Sequence, residues 1–303
     1  MIEYLKEAFN LANRNMQLVF VRLAATVINI IGLIVCLGLP VTVALSYLSF
    51  DIIHAENLFP YFVEKPHEIL SRYTGLVIFF LISVISYILF VCIVIIYFLG
   101  GMLGTLRNST VAPERKFSLS SFFRQANENF LRLFRLVSVE SLVFMPLFTV
   151  LIIAGGAVVS DLHGVLQMES IFEVFFRSFA LMSIAVFSAA AFIIYLVVML
   201  ISSVVSAVEG TGTVVTLKKT AGFLRKNPMA FLFSAILFIG LIVSAGVLLA
   251  FKISVSPFFP GGMVLFIISA VLQNYLSVVA WGFLVVYYIR ATNYPASSGR
   301  YEI

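Results

Sequence analysis

The chain has 303 residues, of which 62% are hydrophobic and 11% are charged, and its mean hydropathy is +1.11. Ordinary soluble domains contain about 25% charged residues, so this composition excludes a water-soluble fold. The net charge is +5, but the basic residues lie in short segments between apolar runs, which indicates topology signals rather than a nucleic-acid-binding surface.

Six stretches without a charged residue are long enough to cross a bilayer. Hydrocarbon about 30 Å thick requires roughly 20 apolar residues of α-helix. In chain order, the stretches are residues 23–50, 73–106, 141–160, 178–208, 227–251 and 253–289. None shows the alternating polarity, over about ten residues, of a membrane β-strand. The sequence therefore predicts an all-α integral membrane protein with six transmembrane helices.

Lysine and arginine are divided unequally between the two sets of segments that flank these stretches. The N-terminus, the segments near 107–140 and 209–226, and the C-terminus together hold 15 of the 19 basic residues. Loops rich in lysine and arginine stay in the cytoplasm. The distribution thus predicts that both termini are cytoplasmic, with 293–303 as a short cytoplasmic tail.

A pattern of one short amphipathic segment followed by two spans recurs three times. Each amphipathic segment ends in an asparagine, at Asn15, Asn129 and Asn227. In the first, apolar residues recur at spacings of three and four, which predicts a helix in the membrane interface; a solvated linker is the alternative. The repeat units are about 1–106, 107–208 and 209–292. We predict a single membrane domain over 1–303, built from three copies of an interfacial amphipathic helix plus a transmembrane hairpin around a pseudo-threefold axis.

Small residues lie where the helices of this pattern can approach closely. Gly32, Pro146 and Ser244 occupy matching positions in the first span of each unit, and each can kink a helix or allow close contact. The second spans of the first two units end in the small-x-x-small segments 100–104 and 202–206. Such segments favour helix packing over ligand binding.

Two features of the chain resemble a broad group of bacterial six-span proteins. They are the repeated pattern and the end of the last span, Val-Val-Tyr-Tyr-Ile-Arg at 285–290. The group includes the membrane domain of some glycerophosphoryl diester phosphodiesterases and the YciC-like inner-membrane proteins. Those domains end in Leu-Tyr-Tyr-Asp-Leu-Arg; Tyr287, Tyr288 and Arg290 match, and Ile289 replaces the aspartate. The spans leave no room for a catalytic barrel of about 250 residues. The resemblance implies a bare membrane module in the bacterial plasma (inner) membrane.

Residues able to perform chemistry are few. The three histidines are His54, His67 and His163, all in segments predicted to face outward. His54 and His67, with nearby acidic residues, could hold a metal, but no H-E-x-x-H spacing occurs, and a solvated loop is the simpler interpretation. No G-x-S-x-G elbow or P-loop is present. The sequence thus predicts no enzymatic activity, no metal and no cofactor.

Placing a charged side chain at membrane depth costs free energy, so such residues usually have a function. They are therefore candidates for a binding site. Arg22, Arg132, Arg135 and Glu140 lie at the predicted cytoplasmic ends of the first and third spans. One interpretation is interfacial anchoring, with Glu140 paired to Arg22 or Arg135. The other is contact with an anionic headgroup or substrate.

Three amides lie inside the predicted spans: Asn29 in the first, and Gln273 and Asn274 in the sixth. Amides in lipid normally cross-link helices, and ligand contact is the alternative. No predicted span carries a buried acid near the bilayer midplane, of the kind that proton-coupled carriers use, which argues against an ion-driven carrier.

Three functions are compatible with these features. The first is non-enzymatic binding or movement of a lipid or another amphiphile. The second is a scaffold or permease subunit that acts with a partner, and the third is an enzyme that uses the histidine loop. The predicted partners are membrane lipids together with a protein partner or a second copy of the chain, but not nucleic acid.

Overall fold

A computed structural model describes residues 2–52, 74–114, 117–160, 171–254 and 260–294. Over this part of the chain the backbone is helical between short connections and forms no β-strand. A turn of π-helix, Ile34–Gly38, joins the second and third helices. The helices are α1 (Ile2–Arg14), α2 (Gln17–Leu33), α3 (Leu39–Ile52), α4 (Thr74–Val111), α5 (Leu119–Ser160), α6 (Ile171–Glu209), α7 (Thr213–Lys226), α8 (Pro228–Ser254) and α9 (Pro260–Ala291).

Six helical stretches are long and apolar enough to cross a membrane. They are Gln17–Ser46, Thr74–Val111, Leu119–Gly156, Ser178–Glu209, Pro228–Val247 and Ile267–Ala291. The prediction of an all-α membrane protein with six such helices is confirmed. Helix α5 has 42 residues and is therefore ~63 Å long, about twice the thickness of the hydrocarbon. Part of this helix must lie beyond the hydrocarbon.

The chain divides into two compact units. The smaller unit is Val19–Leu99, and the larger unit consists of Met1–Leu18 and Gly100–Ile303. The smaller one contains α2, α3 and most of α4, whereas the larger one contains α1, the last turns of α4 and helices α5 to α9. The largest fully buried side chains among the described residues all belong to the larger unit.

In the smaller unit, α2 approaches α4 closely at Gly32. A Cβ atom there would overlap the ring of Phe90, so of the two roles predicted for Gly32, a kink or a close contact, the structure shows the close contact. The π-helical turn follows directly, and the N–H of Leu39 donates to the carbonyl of Ile34, five residues earlier. Pro40 has no N–H and its ring crowds the carbonyl four residues before it, so a wider turn fits here.

The core of the larger unit lies where α4 ends, α5 begins, and α6 and α9 end. Met102, Phe122, Leu133, Val205 and Val285 are buried in it. Helices α1 and α7 pack against the same region, through α9 and α6 respectively. We call this region the basic end, because it carries most of the arginine and lysine side chains of the larger unit. Farther along α5, α6 and α8, large apolar side chains are exposed, as lipid-facing helices require.

Glycines allow α4 and α5 to touch at the basic end. A Cβ atom on Gly101 would lie 2.6 Å from Cζ of Phe122, and one on Gly104 would lie 2.6 Å from Oε1 of Gln125. Both Phe122 and Gln125 are buried. The packing role predicted for segment 100–104 is confirmed at these two positions.

Helix α1 lies antiparallel along the last turns of α9. Arg290 donates to Glu7 at 2.9 Å, and the hydroxyl of Tyr275 donates to Oδ1 of Asn13 at 2.7 Å. The buried residues of α1 are Ala8, Leu11 and Ala12. One face of the predicted interfacial helix is therefore covered by α9, while Ile2 and other apolar residues on its remaining surface are exposed.

The three amphipathic segments each pack against the end of a second span. The start of α5 packs against α4, α7 packs against α6, and α1 packs against α9. The last span thus pairs with the first amphipathic segment. This pairing agrees with the threefold repeat, which itself stays a prediction.

The asparagines that end the amphipathic segments differ in their local structure. The chain breaks at Asn15 and at Asn227, where Pro228 follows and disfavours helical geometry in the preceding residue. Helix α5, in contrast, continues through Asn129 without a break. The amide of Asn129 donates to the carbonyl of Gly100 at 3.1 Å, and no proline follows it. In the second repeat unit, residues 107–208, the amphipathic segment and the first span are therefore one helix.

Candidate functional site

The predicted site residues are divided between the two units. Arg22 and Asn29 lie on α2 in the smaller unit, where both are half-buried. In the larger unit, α5 carries the charged residues Arg132, Arg135 and Glu140, while α9 carries the amides Gln273 and Asn274. The structure therefore places three of the four charged candidates on one helix.

Glu140 is buried between α5 and α6, with 3% of its surface exposed. The hydroxyl of Ser202 donates to its Oε1 atom at 2.5 Å, and its Oε2 atom has no hydrogen-bond partner among the described residues. Arg135 lies about 140° away around α5 and is exposed, so the predicted pairing of these two residues is wrong. Glu140 lies inside the helical stretch Leu119–Gly156, which is long and apolar enough to cross a membrane. The expectation that no span carries a buried acid near the bilayer midplane stays a prediction.

Arg132 has a structural role at the basic end. Its Nε and Nη2 atoms donate to the carbonyl of Glu128, one turn earlier, at 3.1 and 3.0 Å. A Cβ atom on Gly210 would lie 2.6 Å from its Nη1 atom, so the guanidinium abuts the turn between α6 and α7. Gly210 has a φ of +67°, a conformation that suits glycine at the end of a helix. These contacts give Arg132 a structural role within the protein, while its interfacial anchoring stays a prediction.

Arg135 is exposed and has no charged or hydrogen-bonded partner within the described part of the chain. It lies three residues before Ser138 and seven before Leu142, so the three side chains share one face of α5. Among the arginines predicted for α5, this one remains available to a ligand.

A groove of about 500 Å³ opens beside that face, between α5 and α6. Its lining includes Ser138, Leu142, Met145 and Ile152 of α5 together with Tyr195 of α6. Apart from a few hydroxyl groups, this lining is apolar. The groove could therefore receive a chain-like apolar ligand.

Aromatic rings form one wall of this groove. The ring centroids of Phe144 and Phe148 lie 5.0 and 6.1 Å from that of Tyr195. The hydroxyls of Tyr195 and Ser141 are 3.1 Å apart. These hydroxyls provide a polar point at the boundary between the charged and apolar parts of the face.

The chain matches no protein-family model, no curated protein and no solved structure. The resemblance to the bacterial six-span group therefore stays a prediction, and the assignment of a site depends on geometry alone.

The amides predicted inside the spans have varied environments. Asn274 donates to the carbonyl of Ala270 in its own helix at 2.9 Å, and Gln273 is half-buried. The Oδ1 atom of Asn29 is buried without a hydrogen-bond partner among the described residues. The neighbouring Tyr275 does link α9 to another helix, because its hydroxyl donates to Asn13 of α1. This bond of Asn274 lies within one helix, and the predicted cross-linking role of the three amides stays a prediction.

Sequence reasoning missed a polar cluster centred on Glu209. Lys219 of α7 and the hydroxyl of Tyr288 of α9 both contact the carboxylate of this residue, which ends α6. A signal was present, because Glu209 is the only acidic residue in the basic segment 209–226. The cluster joins three helices and has the character of a structural connection.

The histidines His54, His67 and His163 lie outside the described residues. The alternative that His54 and His67 hold a metal therefore stays a prediction. Within the described residues, no group of three or more histidine, cysteine, aspartate or glutamate side chains is arranged to hold a metal ion. Cys36 and Cys92 are free thiols.

Proposed function

We propose that this protein is a non-enzymatic, multi-pass membrane protein that binds, or helps to move, a lipid or another amphiphile. It resides in the bacterial plasma (inner) membrane with both termini in the cytoplasm. The observation that carries the proposal is the apolar groove beside α5, with the exposed Arg135 on the same helix face.

The character of the groove favours an amphiphile over a small polar solute. Its apolar lining is exposed on helices that are long and apolar enough to cross a membrane, so lipid rather than water is its natural surroundings. A polar solute would leave its hydrogen-bonding groups without partners against Leu142, Met145 and Ile152. A ligand with one charged end and one apolar chain meets suitable groups along the whole face.

The experiment is native mass spectrometry of the full-length protein, purified in mild detergent and then exposed to vesicles of phosphatidylglycerol and phosphatidylcholine. We expect at least one lipid molecule to stay bound after the detergent shell is removed, with the anionic lipid preferred. A protein that retains neither lipid, under conditions in which its helices remain folded by circular dichroism, would contradict the proposal.

A second candidate function is that of a scaffold or permease subunit that acts with a protein partner. The outer face of α7 favours it, because Val214, Val215, Lys218 and Arg225 are exposed or half-buried on a helix whose other face is packed. In that case the mass spectra would show no specific lipid, and protein cross-links in intact membranes would map to α7.

A further inference from the structure

We infer that the groove between α5 and α6 binds one anionic glycerophospholipid, with its phosphate at Arg135 and one acyl chain along α5. This inference rests on the proposed function and specifies the ligand class and the residues of the same site. Three independent observations support it: the length of the face, the charge at its polar end and the exposure of its apolar part.

The face has the dimensions of one leaflet of a bilayer. From Arg135 to Ser141, six residues rise ~9 Å, which is comparable to the headgroup layer of one leaflet. From Leu142 to Ile152, ten residues rise ~15 Å, or half of a hydrocarbon core about 30 Å thick. Polar groups therefore occupy the headgroup part of the face and apolar groups occupy the acyl part.

The charge at the polar end selects an anion. Arg135 has no acidic partner within the described residues, whereas the guanidinium of Arg132 is engaged by the carbonyl of Glu128. Glu140, the nearest acid that follows along the chain, is buried toward Ser202. A free guanidinium binds phosphate with two parallel hydrogen bonds, and the cytoplasmic leaflet is rich in anionic lipids.

The apolar part of the face is left uncovered by the described part of the chain. Leu142 is 72% exposed, Met145 is 65% exposed and Ile152 is 73% exposed, and all three line this shallow recess. The rings of Phe148 and Tyr195 close one side of the recess, 6.1 Å apart. The hydroxyls of Ser141 and Tyr195 lie at the polar boundary, where one donates to the other and the second proton can be donated to an ester group of a glycerophospholipid.

The test compares two groove variants with two matched controls in the full-length protein. Arg135→Gln removes the charge at the polar end of the α5 face, one turn before the first groove residue Ser138, and Arg225→Gln removes the same charge from α7. Leu142→Trp fills the groove, and Leu147→Trp enlarges an exposed leucine on a different face of α5. Retained lipid is measured by native mass spectrometry after exposure to equimolar phosphatidylglycerol and phosphatidylcholine vesicles, and unchanged thermal melting shows that each variant is folded.

We expect Arg135→Gln to lower retained phosphatidylglycerol by about tenfold, because a charge-assisted phosphate contact is lost. Leu142→Trp should lower retention of both lipids, while the two controls should retain as much as the unaltered protein. If the groove variants bind lipid like their controls, the lipid lies elsewhere and this inference fails, although the proposed function stands. If the unaltered protein binds no lipid, both fail.

Discussion

Glycine determines how closely α4 and α5 approach at the basic end. Gly101 and Gly104 each leave space that a buried neighbour occupies, so a methyl group at either position would overlap Phe122 or Gln125. Elsewhere in the larger unit, a methyl group on Gly240 would meet no side chain of the described residues within 4 Å, so this glycine carries no such constraint. Glycines thus differ in their importance for packing, because only some of them have a neighbouring side chain in the space that a methyl group would fill.

We expect Gly101→Ala to destabilise the protein by about 1–3 kcal/mol, because interiors are densely packed and the Phe122 ring must move. Thermal unfolding in detergent, followed by circular dichroism, measures the effect. The control is Gly240→Ala, which should be neutral or slightly stabilising because alanine favours helix. Equal melting of the two variants would contradict the packing argument.

At the scale of the helix, the end of α6 carries a cluster of specific polar contacts to two other helices. Helix α6 ends at Glu209, and this residue holds α7 and α9 through Lys219 and Tyr288. The side chain of Glu209 is only 12% exposed, so these contacts are screened by water less than an ordinary surface ion pair. The cluster therefore positions the short helix α7, which has few other polar contacts to α6 and α9 among the described residues.

We expect Glu209→Gln to loosen α7 while leaving the spans intact. Loss of the ion pair, discounted for the 47% exposure of Lys219, should cost about 1 kcal/mol and accelerate amide hydrogen exchange in α7 by about fivefold. Hydrogen exchange with mass spectrometry resolves this region. The control is Glu114→Gln, at an exposed position before α5, which should leave hydrogen exchange in α7 unchanged. If Glu209→Gln instead accelerates exchange in all helices, the cluster supports the whole fold and the prediction is wrong.

At the scale of the whole molecule, the charge distribution predicts a topology that the packing does not determine. A helix bundle packs identically in either orientation, but the 15 basic residues in one set of segments favour the cytoplasm for both termini. Reporter proteins fused to the two ends should therefore both respond as cytoplasmic, and a reporter inserted between the third and fourth spans should respond as external. Opposite locations for the two termini would refute the six-span topology.

The sequence by itself determined the helical class and the number of span-length helices. These properties are local, because about 20 consecutive apolar residues suffice to make a helix stable in hydrocarbon, whatever its neighbours are. The packing role of segment 100–104 was predictable for a similar reason, since small residues at helical spacing have little other use in a membrane helix.

Only the tertiary structure decided which polar groups meet. The burial of Glu140 against Ser202, the placement of α1 along α9 and the groove beside Arg135 all depend on residues far apart in the chain. Asn129 illustrates the physical reason: its amide donates to the carbonyl of Gly100 on α4, a residue 29 positions earlier in the chain. A side chain's partner is set by the helix that packs against it, and no spacing within one helix contains that information.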